Sequence, residues 1–170
     1  MAYKHKEKGS ERSERPCGGD GPAALNPEAP TVRSTGVHHV DLVVSSIGRS
    51  LPFYTELLGP LGYHRVSEVE GERGETIWYL GGPGTSVGLR EAQSESDPYD
   101  RYRIGLHHLA FEADSRVQVD ERAGWVRTQD VEIESEPQEY TYLPGYYAVF
   151  FYDPDGLKLE IVHVPGLVAA

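Results

Sequence analysis

Cysteine is almost absent from this chain: Cys17 stands alone in 170 residues. A lone thiol excludes an internal disulfide framework and fits a reducing, cytoplasmic setting. Long apolar runs are missing as well. Nothing approaches the roughly 20 residues a membrane helix needs, and the Lys/Glu-rich start has no apolar segment of a secretory signal. Positive charge is scarce, at 16 Lys/Arg against 27 Asp/Glu. Six of those bases and five of the acids fall in residues 1–36, leaving 10 bases against 22 acids in the remainder. Such a surface repels phosphate backbones and anionic membranes, which argues against nucleic-acid and membrane partners. Residues 1–35 also have almost no aromatic or β-branched residues, so they cannot offset chain entropy and are expected to form a disordered tail.

What the chain does have is a pattern written twice. Val37–Ser45 alternates like a strand, and Ser46–Leu58 carries apolar residues at helical spacing. Three strands follow at Tyr63–Glu70, Glu75–Leu80 and Thr85–Ala92, parted by glycine-rich turns. The order then recurs: strand Gly105–Ala113, helix Asp114–Gln129 capped by Asp114 or Ser115, and strands Val131–Glu136, Tyr146–Tyr152 and Leu157–Val164. The reading is one α+β domain over residues 36–165. It divides into β-α-β-β-β modules at 36–92 and 105–165, with a linker at 93–104.

Three strands carry residues able to bind metal. His39 is the second histidine of His-His-Val-Asp-Leu-Val-Val, His108 opens His-Leu-Ala-Phe within a second His-His pair, and Glu160 lies in Asp-Pro-Asp-Gly-Leu-Lys-Leu-Glu-Ile-Val. Alternation puts Leu42 and Val44, Leu109 and Phe111, and Leu159 and Ile161 on helix-covered faces. His39, His108 and Glu160 then project from the opposite faces. Two imidazoles and a carboxylate form a ligand set for a divalent ion with coordination positions left open; Fe, Mn, Ni and Zn all suit it. Asp41 shares the His39 face as a candidate proton acceptor. Tyr142 and Tyr146 belong to a tyrosine cluster at a cleft mouth and are candidate acid/base groups. Arg90, Tyr147 and Phe150 are candidate substrate contacts, with Arg90 also placed to pair with Asp41.

Over residues 36–164 these motifs resemble the vicinal oxygen chelate superfamily. That group includes glyoxalase I, fosfomycin-resistance transferases, extradiol dioxygenases and bleomycin-binding proteins. The resemblance rests on the two His-His strands, Arg49-Ser50-Leu51-Pro52-Phe53-Tyr54 with Leu57-Leu58-Gly59, and the Asp153–Ile161 segment. It implies paired modules curling their sheets around a cleft, a metal held by His39, His108 and Glu160, and a small substrate chelated through two neighbouring oxygens. It also allows a homodimer, because several relatives build the cleft across two chains. Glyoxalase I adds a carboxylate ligand on the fourth strand. Here the inward positions are Gly88 and Arg90, and Glu91 turns inward only through a bulge. The dioxygenases carry a tyrosine where this chain has Phe150 and a further upstream histidine that it lacks. Fosfomycin enzymes carry a small hydroxyl residue in place of Asp41. The expected function is therefore a lyase- or isomerase-like metal enzyme. A metal-free drug-binding protein and a ring-cleaving dioxygenase are the alternatives.

Overall fold

A computed structural model describes residues 36–94 and 97–166, which fall in a single compact unit. The expected tail and Cys17 lie outside the described residues. Module one comprises β1 (His39–Val44), α1 (Ile47–Leu58), β2 (Arg65–Glu70), β3 (Thr76–Gly81) and β4 (Ser86–Glu91). Module two repeats it as β5 (Leu109–Glu112), α2 (Arg116–Val126), β6 (Ile133–Glu139), β7 (Tyr147–Tyr152) and β8 (Lys158–His163). Each module makes a four-stranded mixed sheet, ordered β1-β4-β3-β2 and β5-β8-β7-β6, with the first and fourth strands of the module parallel.

The register is that of a true repeat. Asp41 faces Gly88 in module one as Ala110 faces Glu160 in module two. Each module thus has one carboxylate at this pair of positions, on the first strand in one case and the fourth in the other.

Alternation decides what is buried. Leu42, Val44, Leu89, Phe111, Phe151, Leu159 and Ile161 join Phe53, Leu57, Val119 and Ala123 of the helices in one apolar core. Clearing such surface from water is the main force holding the domain together. The modules share this core through their helix-covered faces. Phe53 packs on Trp125 with ring centroids 5.3 Å apart, and Tyr63 meets Phe111 at 5.9 Å. Gln118 Nε2 donates to the Pro60 carbonyl at 2.8 Å across the same seam. Ser115 caps α2 by accepting from the Gln118 amide.

Three elements differ most from the sequence expectation. β5 is only four residues long, its pairing with β8 beginning at Leu109 opposite Leu159. The α2 helix is shorter at both ends. Strand β6 runs on past Glu136 to Glu139, through Pro137, and shifts register twice against β7. A proline has no amide to give to a ladder and is tolerated at a sheet edge, where β6 lies.

Candidate metal centre

Module two assembles its half of the expected site. His108 Nε2 lies 3.3 Å from Glu160 Oε2. The Tyr146 phenol donates to the other oxygen, Oε1. His107 Nδ1 and His108 Nδ1 are 2.8 Å apart, so the neighbouring ring fixes the His108 orientation and leaves Nε2 turned to the carboxylate. Phe150, opposite Glu160 in the ladder, forms a floor 6.3 Å from the His108 ring.

These groups line a hollow of about 500 Å³ that also takes in Glu134, Ser135, Gln138, Tyr140, Tyr142 and Lys158. The size suits a small ligand. A larger hollow of about 650 Å³ runs along the free edge of β1 beneath Asp97–Tyr99. It contains none of the three expected ligands, whereas the smaller one holds two of them.

The Tyr140–Tyr146 turn builds the wall. Gly145 adopts φ +77°, and a Cβ there would collide with Pro165, so only glycine closes this turn. Tyr140 and Tyr142 stack at 5.4 Å, and Tyr146 meets Tyr142 edge-on at 5.3 Å. Tyr142 remains 66% exposed. Burial and then Glu160 push the Tyr146 phenol well up, so it stays protonated and acts as a donor.

A charged network seals one end. Lys158, only 8% exposed, donates to Glu134 at 2.5 Å and sits 4.4 Å above the Phe150 ring. Arg101, from the segment between the modules, donates to Glu134 and to the Tyr152 hydroxyl. Burial alone would raise the Glu134 carboxyl. Hydrogen bonds from Lys158, Tyr152 and Arg101 outweigh it and hold the group at about 2.

Module one holds the rest, and not in this hollow. His39 lines a separate depression with Arg65, Ser67, Tyr79 and Ser86. Its ring meets Tyr79 edge-on at 5.7 Å, and its Nδ1 lies 2.8 Å from that of His38. Among the described residues no three metal-binding side chains converge. The expected trio is therefore split within one chain, two on module two and one on module one. The cause is the packing: the modules join by their helix faces, and both ligand faces bear away from the shared core.

Asp41 and Arg90 are also tied up. Arg90 donates to Asp41 at 2.7 Å and to Glu75 at 2.9 Å, so its fork is occupied by protein carboxylates and it makes no substrate clamp in the chain as it stands. Asp41 Oδ2 accepts from Arg90 and Tyr79, while Oδ1 is buried without a partner. That oxygen lies 2.3 Å from where a Cβ on Gly88 would stand. The place of a fourth-strand ligand in module one is thus filled by Asp41. Glu91 keeps the opposite parity, because the β4 ladder is unbroken. Tyr147 is a correction to the expected substrate contacts. It is one residue out of phase with Phe150's face and reaches α2, donating to Asp120 at 2.8 Å.

Sequence reasoning missed Lys158, Glu134, Ser135, Gln138 and Arg101. Lys158 was legible, two residues from Glu160 on one strand. The other four depend on bulges and on the path of the connecting segment.

The domain matches the model for the Glyoxalase/Bleomycin resistance protein/Dioxygenase superfamily over residues 36–161. The chain belongs to this superfamily. YqjT, an uncharacterized protein of Bacillus subtilis (strain 168), is 33% identical over 129 residues, covering 74% of this chain and 97% of YqjT. A 2-epi-5-epi-valiolone epimerase of an Actinomyces species is 27% identical over 155 residues, covering 78% of this chain and 81% of that enzyme. The crystal structure of a glyoxylase/bleomycin resistance protein/dioxygenase domain from Frankia sp. EAN1pec superposes with TM-score 0.58 at 29% identity. It covers 75% of this chain and 96% of the Frankia domain. Among the described residues no helix is long and apolar enough to cross a membrane.

Proposed function

We propose that the chain is a divalent-metal isomerase acting on a small carbonyl compound chelated through two neighbouring oxygens. One observation carries this reading. Glu160 is 1% exposed, yet its partners are an imidazole and a phenol, with no Lys or Arg within ion-pair distance among the described residues. The nearby ammonium of Lys158 is spent on Glu134. A buried carboxylate without a cation costs several kcal/mol, roughly, and a divalent ion would offset that cost.

His108 and Glu160 would hold such an ion as two of its ligands, and His39 of a second copy would be the third. Since the His39 face and the Glu160 face both bear away from the core, a two-fold dimer can lay each over the other's counterpart and build two equal sites. When bound, the ion supplies Lewis acidity to a substrate carbonyl. The chain's own groups do the rest. Glu160 or Asp41, which arrives beside His39, accepts a proton from the carbon next to that carbonyl. Tyr146, held protonated, donates to the oxygen where charge develops. Phe150 offers no proton where ring-cleaving relatives carry a tyrosine, which favours isomerisation over ring cleavage. The 27%-identical relative's name as an epimerase supports the same reaction type.

Mixing variants tests both the metal and the dimer. His39→Ala and Glu160→Gln should each bind no Mn²⁺ tightly. Refolded together in equal amounts, they should regain about a quarter of the wild-type metal content, since half the dimers carry one intact site of two. A metal-free wild type, or a mixture that regains nothing, overturns the proposal.

A further inference from the structure

Strand β6 departs from regular pairing where it borders the candidate centre. Ser135 pairs with Phe150 and Gln138 with Ala148, with a register shift on each side of Ser135. Residues three apart on a regular strand point to opposite faces. Here the irregularity around Pro137 turns both toward the hollow that holds His108 and Glu160. The three polar side chains meet there. Ser135 Oγ lies 2.5 Å from the Tyr140 hydroxyl, and Gln138 Nε2 donates to Ser135 Oγ at 2.6 Å and to Tyr140 at 3.2 Å. All three are neutral, and each can both donate and accept.

The rest of the lining narrows the ligand further. Lys158 and Arg101 are both spent on Glu134, so neither cation is free to take a phosphate or carboxylate group. Phe150 and the Tyr140–Tyr142 stack offer flat apolar surface beside the hydroxyls. Neutral donors and acceptors next to aromatic faces suit a ring bearing several hydroxyls.

We infer that Ser135, Gln138 and Tyr140 form a hydrogen-bonding clamp that selects an uncharged, polyhydroxylated cyclic ketone as the substrate class. The inference rests on the isomerase reading for the orientation of the carbonyl, while the clamp itself needs no metal. The three groups satisfy one another in the empty site, and an analogue without hydroxyls that displaces those bonds offers none in return.

Titration calorimetry of the full chain with 2-keto-myo-inositol, with and without Mn²⁺, tests it. 2-Hydroxycyclohexanone and glucose 6-phosphate serve as competitors. Ser135→Ala and Gln138→Leu should each weaken binding of the inositol ketone about tenfold. Both should leave the Mn²⁺ affinity unchanged, and Tyr147→Phe, on the opposite face, should alter neither the Mn²⁺ affinity nor the binding of the inositol ketone. Equal binding of 2-hydroxycyclohexanone, tighter binding of glucose 6-phosphate, unaltered binding by the two variants, or no binding of the inositol ketone overturns the clamp. Binding that depends on Ser135 and Gln138 in a protein that takes up no Mn²⁺ leaves the clamp standing and removes the metal reading.

Discussion

Glu160→Gln should leave the metal-free protein as stable as before, or more so, while abolishing its response to metal. The exchange keeps shape and removes charge. The amide oxygen still accepts from Tyr146, and the amide nitrogen still reaches the His108 ring. What is lost is charge assistance to those bonds, about 1–2 kcal/mol. What is gained is relief from holding an ion out of water, on the order of several kcal/mol for an uncompensated buried charge. The balance favours the variant by about 1 kcal/mol. With free Mn²⁺ at a hundredfold excess over its dissociation constant, the wild type gains about 2.7 kcal/mol by mass action. For a folded unit of this size that raises the melting temperature by roughly 10 °C. Scanning calorimetry at pH 7, with and without 1 mM MnCl₂, reads both quantities. A variant that melts far below the wild type without metal, or rises equally with it, would show that Glu160 is a structural carboxylate already at ease where it lies.

Two further outcomes follow from the charged and buried groups. Glu134 sits at about 2, below its ordinary 4.5, so its ion pairs stabilise the fold above that ordinary value and are lost as pH falls toward 2. Allowing for a side chain that is 31% exposed, the contribution is about 1 kcal/mol, and urea midpoints of Glu134→Gln should fall less steeply than wild type below pH 4.5. Tyr54→Phe should cost about 2 kcal/mol in urea unfolding at pH 7, because the buried Asp153 loses the 2.8 Å hydrogen bond on its Oδ2; an unchanged midpoint would mean that bond contributes nothing.

Much of the site was legible before any coordinates. His108 and Glu160 were placed together by counting: each stands out of phase with an apolar series, and the two series pack under the same helix. Phe150 follows by the same parity. Counting applied to β7 would also have sent Tyr147 to α2, and grouping it with its tyrosine neighbours ignored that rule. Ser135 and Gln138 resist counting, since a bulge resets the phase and Pro137 gives only a local warning. Arg101 was out of reach because no periodicity governs the segment that carries it.

By itself the order of residues determined the doubled β-α-β-β-β pattern, the helix-covered faces, and the faces that carry metal-binding groups. Those are consequences of local geometry, of a strand's two-residue period and a helix's 3.6. Tertiary structure alone decided that the modules share one core through their helices, which parts His39 from His108 and Glu160. That outcome turns on which apolar surfaces meet, and burying them is a property of the whole assembly that no short stretch of chain encodes.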